Sequence, residues 1–476
     1  LLTGFQPVSA GDAGVYLQQQ LQANSRSIFG LAGPLPASAP VVPAGYRTVF
    51  QTASDQVAMA PGLFAAFLTR KAANAAGPFA YWPNASNPDY ALFCIEGDRQ
   101  VIGAFPNTLA KYNPSVQRVD RNGNVETVLR GMAACGGIRL TPWGTLLATE
   151  ETPDGGAYEI LDPVGTTDFT VQDRASGSII DGNGLPESSK IAKRPALPAL
   201  AWKGLAVLPS GIVLGGDALR PGVVAADADG GAIFKFVPAT PANGASISSL
   251  TQSPLVSGSA YAMQVSCQDT AQQYGQGCEA GNAAWIPVSA SAARLDAQTL
   301  GATGYHRPGD LESDPSYADS AHPAGIRFCW TNAGKEGALG FGEVMCAVDR
   351  NPALASSTQR TVAVSRFLEG DMDFNSFDDL AFQPGTGILY VSEDHGNGDV
   401  FACTADGADR DGISDGCMKV LSLKDSGAKP AGFGFTADGK TALLSVSHSN
   451  DAAMPLVNGY ATDDILQISG FQSPSH

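Results

Sequence analysis

The chain has 476 residues, of which 44% are hydrophobic and 16% charged, and its 29 basic against 46 acidic side chains give a net charge of −17. Nucleic-acid binding rests on lysine and arginine neutralising phosphates, so this acidic balance argues against a nucleic-acid partner. No run of 18 or more apolar residues is present, and no transmembrane segment is therefore predicted.

The amino-terminal region carries no recognisable signal peptide. The chain starts Leu1-Leu2-Thr3, and we interpret this start as that of a mature product whose leader has been removed, which predicts a secreted protein. We expect one domain spanning 1–476, in which residues 1–50 form an extended segment that packs on the remainder.

A hairpin pattern recurs four times along the chain, at 141–151, 204–217, 379–394 and 432–446. Each copy has an alternating apolar strand, a turn with proline, aspartate or glycine, and a second apolar strand. Glycine supplies positive φ and proline a preset φ in such turns, and period-2 alternation is the strand signal. Repetition of one hairpin unit over a long chain predicts an all-β fold, a β-propeller.

The length of the chain bears on the number of blades. At ~40–45 residues per blade the chain would hold about ten, more than a closed ring usually contains. Stretches rich in Pro, Gly, Ala and Ser at 31–44, 184–200, 238–262 and 279–298 lack strand periodicity. We predict that they are long insertions between strands and that about six blades remain. A β-sandwich with similar hairpins is the alternative, and it is less usual for one domain of this size.

Eight cysteines are present, an even number. Three spacings suit disulfides that close short loops, each contributing ~3 kcal/mol, and they indicate an oxidising compartment. Buried free thiols are the alternative. The three pairs are Cys267 with Cys278, Cys329 with Cys346, and Cys403 with Cys417. Cys94 and Cys135 remain, and either they pair or Cys135 is free to bind a metal.

Two adjacent carboxylates, Glu150 and Glu151, end the second strand of the first hairpin. Neighbours in a strand point to opposite faces, so only one should face a given site unless the strand has already ended. In a ring of blades such strand ends meet near the central channel. With Cys135 nearby, thiolate and carboxylate together suit iron or zinc.

Two further acidic segments lie in the carboxy-terminal part. Asp394 ends the third hairpin, at the same place in its repeat as Glu150 and Glu151, and is a candidate metal ligand. The neighbouring His395 is interpreted as a hydrogen-bonded structural residue. The segment 406–415 places several carboxylates around one glycine-containing turn, which favours Ca²⁺ over a plain solvated loop. Its candidate calcium ligands are Asp406, Asp409, Asp411 and Asp415.

The chain resembles the PhoX-type alkaline phosphatases in the run from Cys135 through Thr141-Pro142-Trp143-Gly144-Thr145 to Glu150-Glu151. Further segments follow in the family's order and extend the resemblance over most of the chain. They lie at 4–8, 42–46, 233–237, 307–315, 330–332 and 378–384.

This resemblance implies a secreted six-bladed propeller, in the periplasm or outside a bacterial cell, whose iron–calcium cluster hydrolyses phosphate monoesters. Carried to this chain, it implies that Cys135 binds iron, that Glu151 and Glu150 bind metal, and that Arg307 contacts the phosphate. Arg307 and Glu151 are then the catalytic candidates. Metals and arginine can neutralise the charge on phosphoryl oxygens during transfer.

The chain departs from the family pattern at two glycines. Family glutamates fall on Gly231 and Gly309, and glycine has no side chain to bind a metal. Asp229, Asp310 and Glu312 are the nearby carboxylates that could replace them, so Asp310 and Glu312 are included as metal candidates. Losing two carboxylates would cost several kcal/mol of ion binding unless they are replaced.

Two functions follow. The first is a metal-dependent phosphoesterase that uses Ca²⁺ and iron and takes a phosphate ester. The second is a catalytically degenerate propeller that serves as an extracellular binding, structural or assembly subunit with a protein partner. A calcium-containing lactonase-like hydrolase is a third, weaker possibility on this architecture. The sequence does not specify the oligomeric state.

Overall fold

The computed structural model describes residues 19–43, 47–222, 230–266, 279–334, 340–407, 411–447 and 453–474. Short helical segments lie at 19–23, Ser25–Phe29 and Ala293–Leu300, and single 3₁₀ turns at Ala53–Asp55, Leu250–Gln252, Pro254–Val256 and Ala290–Ala292. No helix in these ranges is long and apolar enough to cross a membrane. The remaining regular structure is strand, so the all-β prediction is confirmed.

The first strands in chain order are β1 (Val57–Met59), β2 (Phe64–Ala73), β3 (Ala76–Trp82), β4 (Tyr90–Ile95), β5 (Val101–Ala104), β6 (Ala110–Tyr112), β7 (Pro114–Asp120), β8 (Val125–Arg130), β9 (Cys135–Leu140) and β10 (Leu146–Glu150). Next come β11 (Ala157–Ile160), β12 (Phe169–Asp173), β13 (Ser178–Ile180), β14 (Pro186–Glu187), β15 (Ile191–Lys193), β16 (Trp202–Val207), β17 (Val213–Asp217), β18 (Ile233–Pro238), β19 (Gly258–Ser266) and β20 (Gly281–Val288). The last are β21 (Pro308–Ser313), β22 (Ile326–Asn332), β23 (Glu343–Asp349), β24 (Val362–Glu369), β25 (Phe377–Phe382), β26 (Leu389–Glu393), β27 (Asp399–Cys403), β28 (Cys417–Leu423), β29 (Lys429–Phe435), β30 (Thr441–Ser447) and β31 (Thr462–Ser469).

Within the described ranges, six strands line a common axis. They contact one another in a closed cycle, β3 to β9, β16, β21, β25, β29 and back to β3. Antiparallel meanders lead outward from each of them, for example β9-β10-β11-β15 and β25-β26-β27-β28-β1. The hairpins recognised at 204–217, 379–394 and 432–446 supply the axial strand and its neighbour in three of these meanders, and the segment 141–151 supplies the turn and the second strand of a fourth. The arrangement is propeller-like.

The two ends of the chain close this ring. β2, from the amino-terminal part, pairs antiparallel with β31 and completes the order β2-β31-β30-β29. The segment before it also packs inward, since Phe29 and Leu31 are buried in the apolar cluster under these sheets and Val42 bridges to Asp425. The prediction of an extended, packed segment describes residues 31–43, whereas Ser25–Phe29 is helical.

Three of the predicted insertions were wrong in part, because they contain regular structure: 184–200 holds the short strands β14 and β15. β19 covers the end of 238–262, and β20 with the following helix fills most of 279–298. β20 pairs with both β19 and β24 and so joins two meanders into one sheet of nine strands. Its residues 283–286 are all buried. A strand buried on both faces does not alternate in polarity, which removed the signal from the sequence.

Each axial strand carries a pairing irregularity at an equivalent point, which we call the waist. The residues left out of register there are Gly77-Pro78, Gly136, Lys203-Gly204, Gly309-Asp310, Asp378-Asp379 and Gly432-Phe433. Glycine lets neighbouring axial strands approach closely. A Cβ on Gly136 would lie 2.1 Å from the Trp202 carbonyl oxygen, and one on Gly432 would lie 2.1 Å from that of Gly77.

Three disulfides form among the described cysteines, and none of these cysteines is free. Cys329–Cys346 and Cys403–Cys417 each join two neighbouring strands, as predicted. Cys94–Cys135 joins β4 to the start of the axial strand β9 and thereby links two meanders. Cys267 and Cys278 lie outside the described residues. Disulfides persist in oxidising compartments, which is the cellular setting that the cysteine pattern predicted.

Candidate functional site

Charged side chains of alternating sign surround the axis at one end of the ring. Carboxylates come from residues that directly follow the second strand of a meander, after β4, β10 and β26. The cations and one further carboxylate come from the axial strands or from the residue just before one. We call the closed part of this set the axial charge ring, and its members are Glu151, Lys203, Asp378, Lys429, Asp394 and Arg307.

Each member of the axial charge ring contacts an opposite charge on either side. Lys203 Nζ lies 3.5 Å from Asp378 Oδ2 and 4.0 Å from Glu151 Oε2. Lys429 Nζ lies 2.6 Å from Asp394 Oδ1 and 3.8 Å from Asp378 Oδ2. Arg307 donates to Asp394 and lies 3.5 Å from Glu151 Oε1. A seventh group, Glu96, accepts from Lys203 Nζ at 2.5 Å. Charges buried at this density are tolerated because every one is paired.

The Lys203 ammonium is the buried centre of this arrangement. Its side chain is only 1% exposed, and it holds carboxylates from three different meanders together. Burial alone would lower the pKa of Lys203, but Asp378, Glu96 and Glu151 raise it well above its usual value. Burial would likewise raise the pKa of Asp378, yet Lys203, Lys429 and Arg307 hold it below its usual range. For Glu151 burial prevails and its pKa is raised. Lys203 therefore stays an ammonium and Asp378 a carboxylate.

Arg307 lies at the mouth of the site on a strained backbone. Its φ is 59°, in the left-handed region that an arginine rarely adopts. The amide donates to the Leu219 carbonyl at 2.9 Å, which helps to fix this conformation and turns the guanidinium toward Glu151 and Asp394. A second guanidinium, that of Arg220, is near enough that burial and Arg307 together lower its pKa.

Glu150, which the sequence predicts as a metal ligand, does not face the axis. It is fully buried, and its two carboxylate oxygens accept from Arg174 at 2.7 and 3.1 Å and from the amides of Ala133 and Gly156. Both oxygens are thus occupied by protein donors. The expectation that only one of two neighbouring carboxylates points into a site holds here, and that one is Glu151.

Cys135 is likewise not a metal ligand in this structure. Its sulfur is bonded to the sulfur of Cys94, and a disulfide sulfur is not a thiolate. The Thr141-to-Thr145 turn that follows it binds a different residue, Glu159, whose Oε1 accepts from Trp143 Nε1 at 2.7 Å and from Thr145 Oγ1 at 2.6 Å. The motif that carries much of the resemblance therefore has a structural role in this chain.

The two glycines at the family's glutamate positions cannot be replaced by larger residues without a shift of the backbone around them. A Cβ on Gly309 would lie 2.3 Å from Thr331 Oγ1 and 2.9 Å from the Asp378 carbonyl oxygen. A Cβ on Gly231 would lie 1.7 Å from the Asp217 carbonyl oxygen. Of the candidate substitutes, Asp310 lies at the waist and Glu312 beyond it, and they contact Arg139 at 3.1 and 3.0 Å. Asp229 lies outside the described residues.

An iron–calcium cluster does not fit the residues at this site. The thiolate is missing, Glu150 is turned away, and the Lys203 ammonium lies where the remaining carboxylates converge. A metal cation there would meet a buried positive charge within a few ångströms. Among the described residues, no group of three or more His, Cys, Asp or Glu side chains could hold a metal ion.

The acidic loop at 406–415 is closed by the Cys403–Cys417 disulfide. Asp406 accepts from the Gly412 amide and Asp411 from the Ile413 amide, so both act as turn acceptors. Asp415 lies against Gly407. Asp409 lies outside the described residues, and calcium binding by the four aspartates stays a prediction. His395 Nε2 lies 3.2 Å from Glu393 Oε2, the kind of structural contact expected of it.

Of the charged residues at this site, the sequence predicted three as site residues: Glu151, Arg307 and Asp394. It did not predict the other four, Glu96, Lys203, Asp378 and Lys429. A signal for two of them was present in the repeat. The frame Lys203-Gly204-Leu205-Ala206 corresponds to Asp378-Asp379-Leu380-Ala381, with the first residue of each at the waist. Opposite charges at equivalent positions of two repeats could have indicated that they meet at the axis.

Comparisons with known proteins support the fold alone. No family model and no curated protein matches the sequence. Among solved structures, Pseudomonas fluorescens PhoX in complex with vanadate, a transition-state analogue, is similar with a TM-score of 0.54 and 15% identity, over 91% of this chain and 98% of that chain. The gluconolactonase XC5397 of Xanthomonas campestris matches with a TM-score of 0.41 and 12% identity, over 92% and 99% of the two chains. The PQQ-bound aldose sugar dehydrogenase of Streptomyces coelicolor matches with a TM-score of 0.40 and 13% identity, over 87% and 99%. The chain thus has a propeller-like fold that is similar to that of PhoX.

Proposed function

We propose that this chain is a secreted six-bladed propeller that acts as an extracellular binding or assembly protein, with fixed side-chain charges at the axis instead of a metal cluster. The observation that carries the proposal is the position of the Lys203 ammonium, 2.5 Å from Glu96 and 3.5 Å from Asp378. A lysine there supplies permanently the positive charge that a bound cation would otherwise bring.

Three further features support this proposal. Cys135 forms a disulfide with Cys94, and the oxygens of Glu150 accept hydrogen bonds from Arg174 and backbone amides. Gly309 leaves no room for a carboxylate. Each of them removes a ligand that the resemblance to PhoX implied. Because the charges of the axial ring neutralise one another, they stabilise the fold without any bound ion.

A metal-dependent phosphoesterase is the second candidate. One observation favours it: the two predicted catalytic residues, Glu151 and Arg307, lie within 3.5 Å of each other at the axis. An arginine in this position could neutralise the charge of a phosphoryl group if a substrate displaced Glu151 or Asp394 from it. PhoX itself, the similar structure, was solved with a transition-state analogue bound.

Elemental analysis and phosphatase assays on the same preparation separate the two candidates. The full chain is purified without chelator and assayed with p-nitrophenyl phosphate and bis-p-nitrophenyl phosphate, with and without added Ca²⁺ and Fe³⁺. We expect no stoichiometric iron and no hydrolysis above the rate of the buffer. Native-source material is expected to elute as a complex larger than the purified chain.

Iron and calcium at stoichiometric amounts, together with phosphate release that Arg307→Lys abolishes, would establish the second candidate instead. Arg121→Lys is a matched control for that variant, because Arg121 is an exposed arginine on the β7–β8 turn.

A further inference from the structure

A separate cavity lies on the other side of the waist. It is lined by waist residues, among them Asp310, Asp379 and Phe433, and by the parts of the axial strands that follow the waist. The cavity has a volume of about 150 Å³, room for roughly five waters or a ligand of similar size. Neither the sequence resemblance nor the proposed function assigns it a role.

The charged side chains that line this cavity include more acidic than basic groups. Arg139, Asp310, Glu312 and Asp379 all line it, so three carboxylates face one guanidinium. Arg139 Nη2 is shared between Asp310 Oδ1 and Glu312 Oε1. Arg139 donates to two of the three carboxylates, and the third, Asp379, receives no hydrogen bond from it.

Asp379 is that third carboxylate. It is 2% exposed, its Oδ2 accepts from the Gly432 amide at 2.8 Å, and no donor among the described residues forms a hydrogen bond with its Oδ1. A buried carboxylate oxygen without a donor is costly, and such groups in native proteins call for an explanation. A ligand that donates a hydrogen bond and carries a positive charge would satisfy this oxygen.

Aromatic side chains also line this cavity. Phe79 and Phe433 do so together with Gly432 and Gly434. Aromatic faces attract ammonium groups and pack against methylene carbons. The two rings offer no oxygen ligand to a bare divalent cation and Arg139 would repel it, so the lining favours an organic cation over a metal.

We propose that this cavity binds a small aliphatic amine in its protonated form, whose ammonium group donates to Asp379 Oδ1 and Glu312 while its carbon chain contacts Phe79 and Phe433. The proposal goes beyond the proposed function and does not depend on it, because the cavity and the axial charge ring share no residue.

Binding is expected to weaken at low pH. Burial raises the pKa of Glu312 to about 7, with Arg139 opposing and Asp310 adding to that effect. Burial and the neighbouring Asp378 also raise the pKa of Asp379. The only other titratable group of the lining is Tyr81, on β3. Because an ammonium ion favours the ionised carboxylates, protonation of Glu312 and Asp379 competes with its binding.

The test is isothermal titration calorimetry of the full chain with 1,4-diaminobutane as the probe and 1,4-butanediol as its uncharged counterpart. We expect saturable binding of the diamine and none of the diol at about pH 8, and affinity lower by roughly tenfold or more at about pH 5.5. Asp379→Asn, which keeps the acceptor for the Gly432 amide, is expected to lower affinity by roughly tenfold. Glu126→Gln, on the outer strand β8, serves as the matched control and should leave the affinity unchanged.

Glu312→Gln provides a second variant in case Asp379→Asn does not fold, and it is expected to weaken binding and to flatten the pH dependence. Three results would overturn the proposal: no binding of the diamine at about pH 8, equal binding of diamine and diol, or displacement of the diamine by Ca²⁺. Each of these outcomes is independent of whether the chain hydrolyses phosphate esters.

Discussion

Replacement of Lys203 by methionine is expected to destabilise the protein by about 3–5 kcal/mol, because it removes one partner of a buried charge cluster and leaves the others uncompensated. The Lys203 side chain is 1% exposed and lies among Glu96, Asp378 and Glu151. Methionine fills a similar volume, so the loss reflects charge and not a cavity. Urea unfolding of both proteins, followed by tryptophan fluorescence, measures the difference.

The Lys203→Met variant also tests whether the lysine stands in for a cation. Its three carboxylates would be left without the central ammonium, so added Ca²⁺ is expected to raise the unfolding midpoint of the variant more than that of the wild type. Adding Glu96→Gln to the variant should recover part of the lost stability, because it removes one of the uncompensated charges. Lys71→Met, at an exposed position of β2, is the control. Equal stability of variant and wild type would contradict the assigned role of Lys203.

The second large loss of stability is expected from Glu159→Gln. The Glu159 side chain is fully buried and accepts from four donors: Trp143 Nε1, Thr145 Oγ1, Arg194 Nε and Ser253 Oγ, at 2.6 to 2.7 Å. Glutamine has the same shape, but it loses the negative charge opposite Arg194 and turns one acceptor into a donor. We expect a loss of about 3–5 kcal/mol in the free energy of unfolding.

A matched control for Glu159→Gln is Glu126→Gln. Glu126 also pairs with an arginine, Arg118, but its side chain is 56% exposed. Exposed pairs contribute about 0–1 kcal/mol, so this variant should unfold close to the wild type. If Glu159→Gln were equally mild, the turn at 141–145 would not be fixed by Glu159, and its structural interpretation would fail. Chemical denaturation of the two variants side by side decides this.

The sequence predicted the propeller-like fold because tight turns and period-2 strands are local features. The hairpins at 204–217 and 379–394 correspond to β16–β17 and β25–β26. Local signals could not reveal β20, whose Ala283 to Ile286 are buried on both faces between two meanders. That burial depends on a partner strand, β24, far along the chain.

The site was harder to predict, since it is assembled across the axis. Strand alternation predicted that only one of Glu150 and Glu151 faces a given site, but it did not decide which, and both were expected to bind metal. Whether Cys135 binds a metal or pairs with Cys94 depends on a contact between residues 41 positions apart. The lysine at 203 had no neighbouring acid in the sequence, and only the closed ring brings Glu96 and Asp378 to it.

The pairing of β2 with β31 affects how readily the protein associates with other molecules. Residues 64–73 contribute the outermost strand of the sheet β2-β31-β30-β29, so this sheet is complete only once they pair with residues 462–469, far away in the sequence. Without β2 the long edge of β31 would be unpaired, and unpaired strand edges favour association with other molecules. A proteolytic cut that releases β2 is therefore expected to expose β31 to such association.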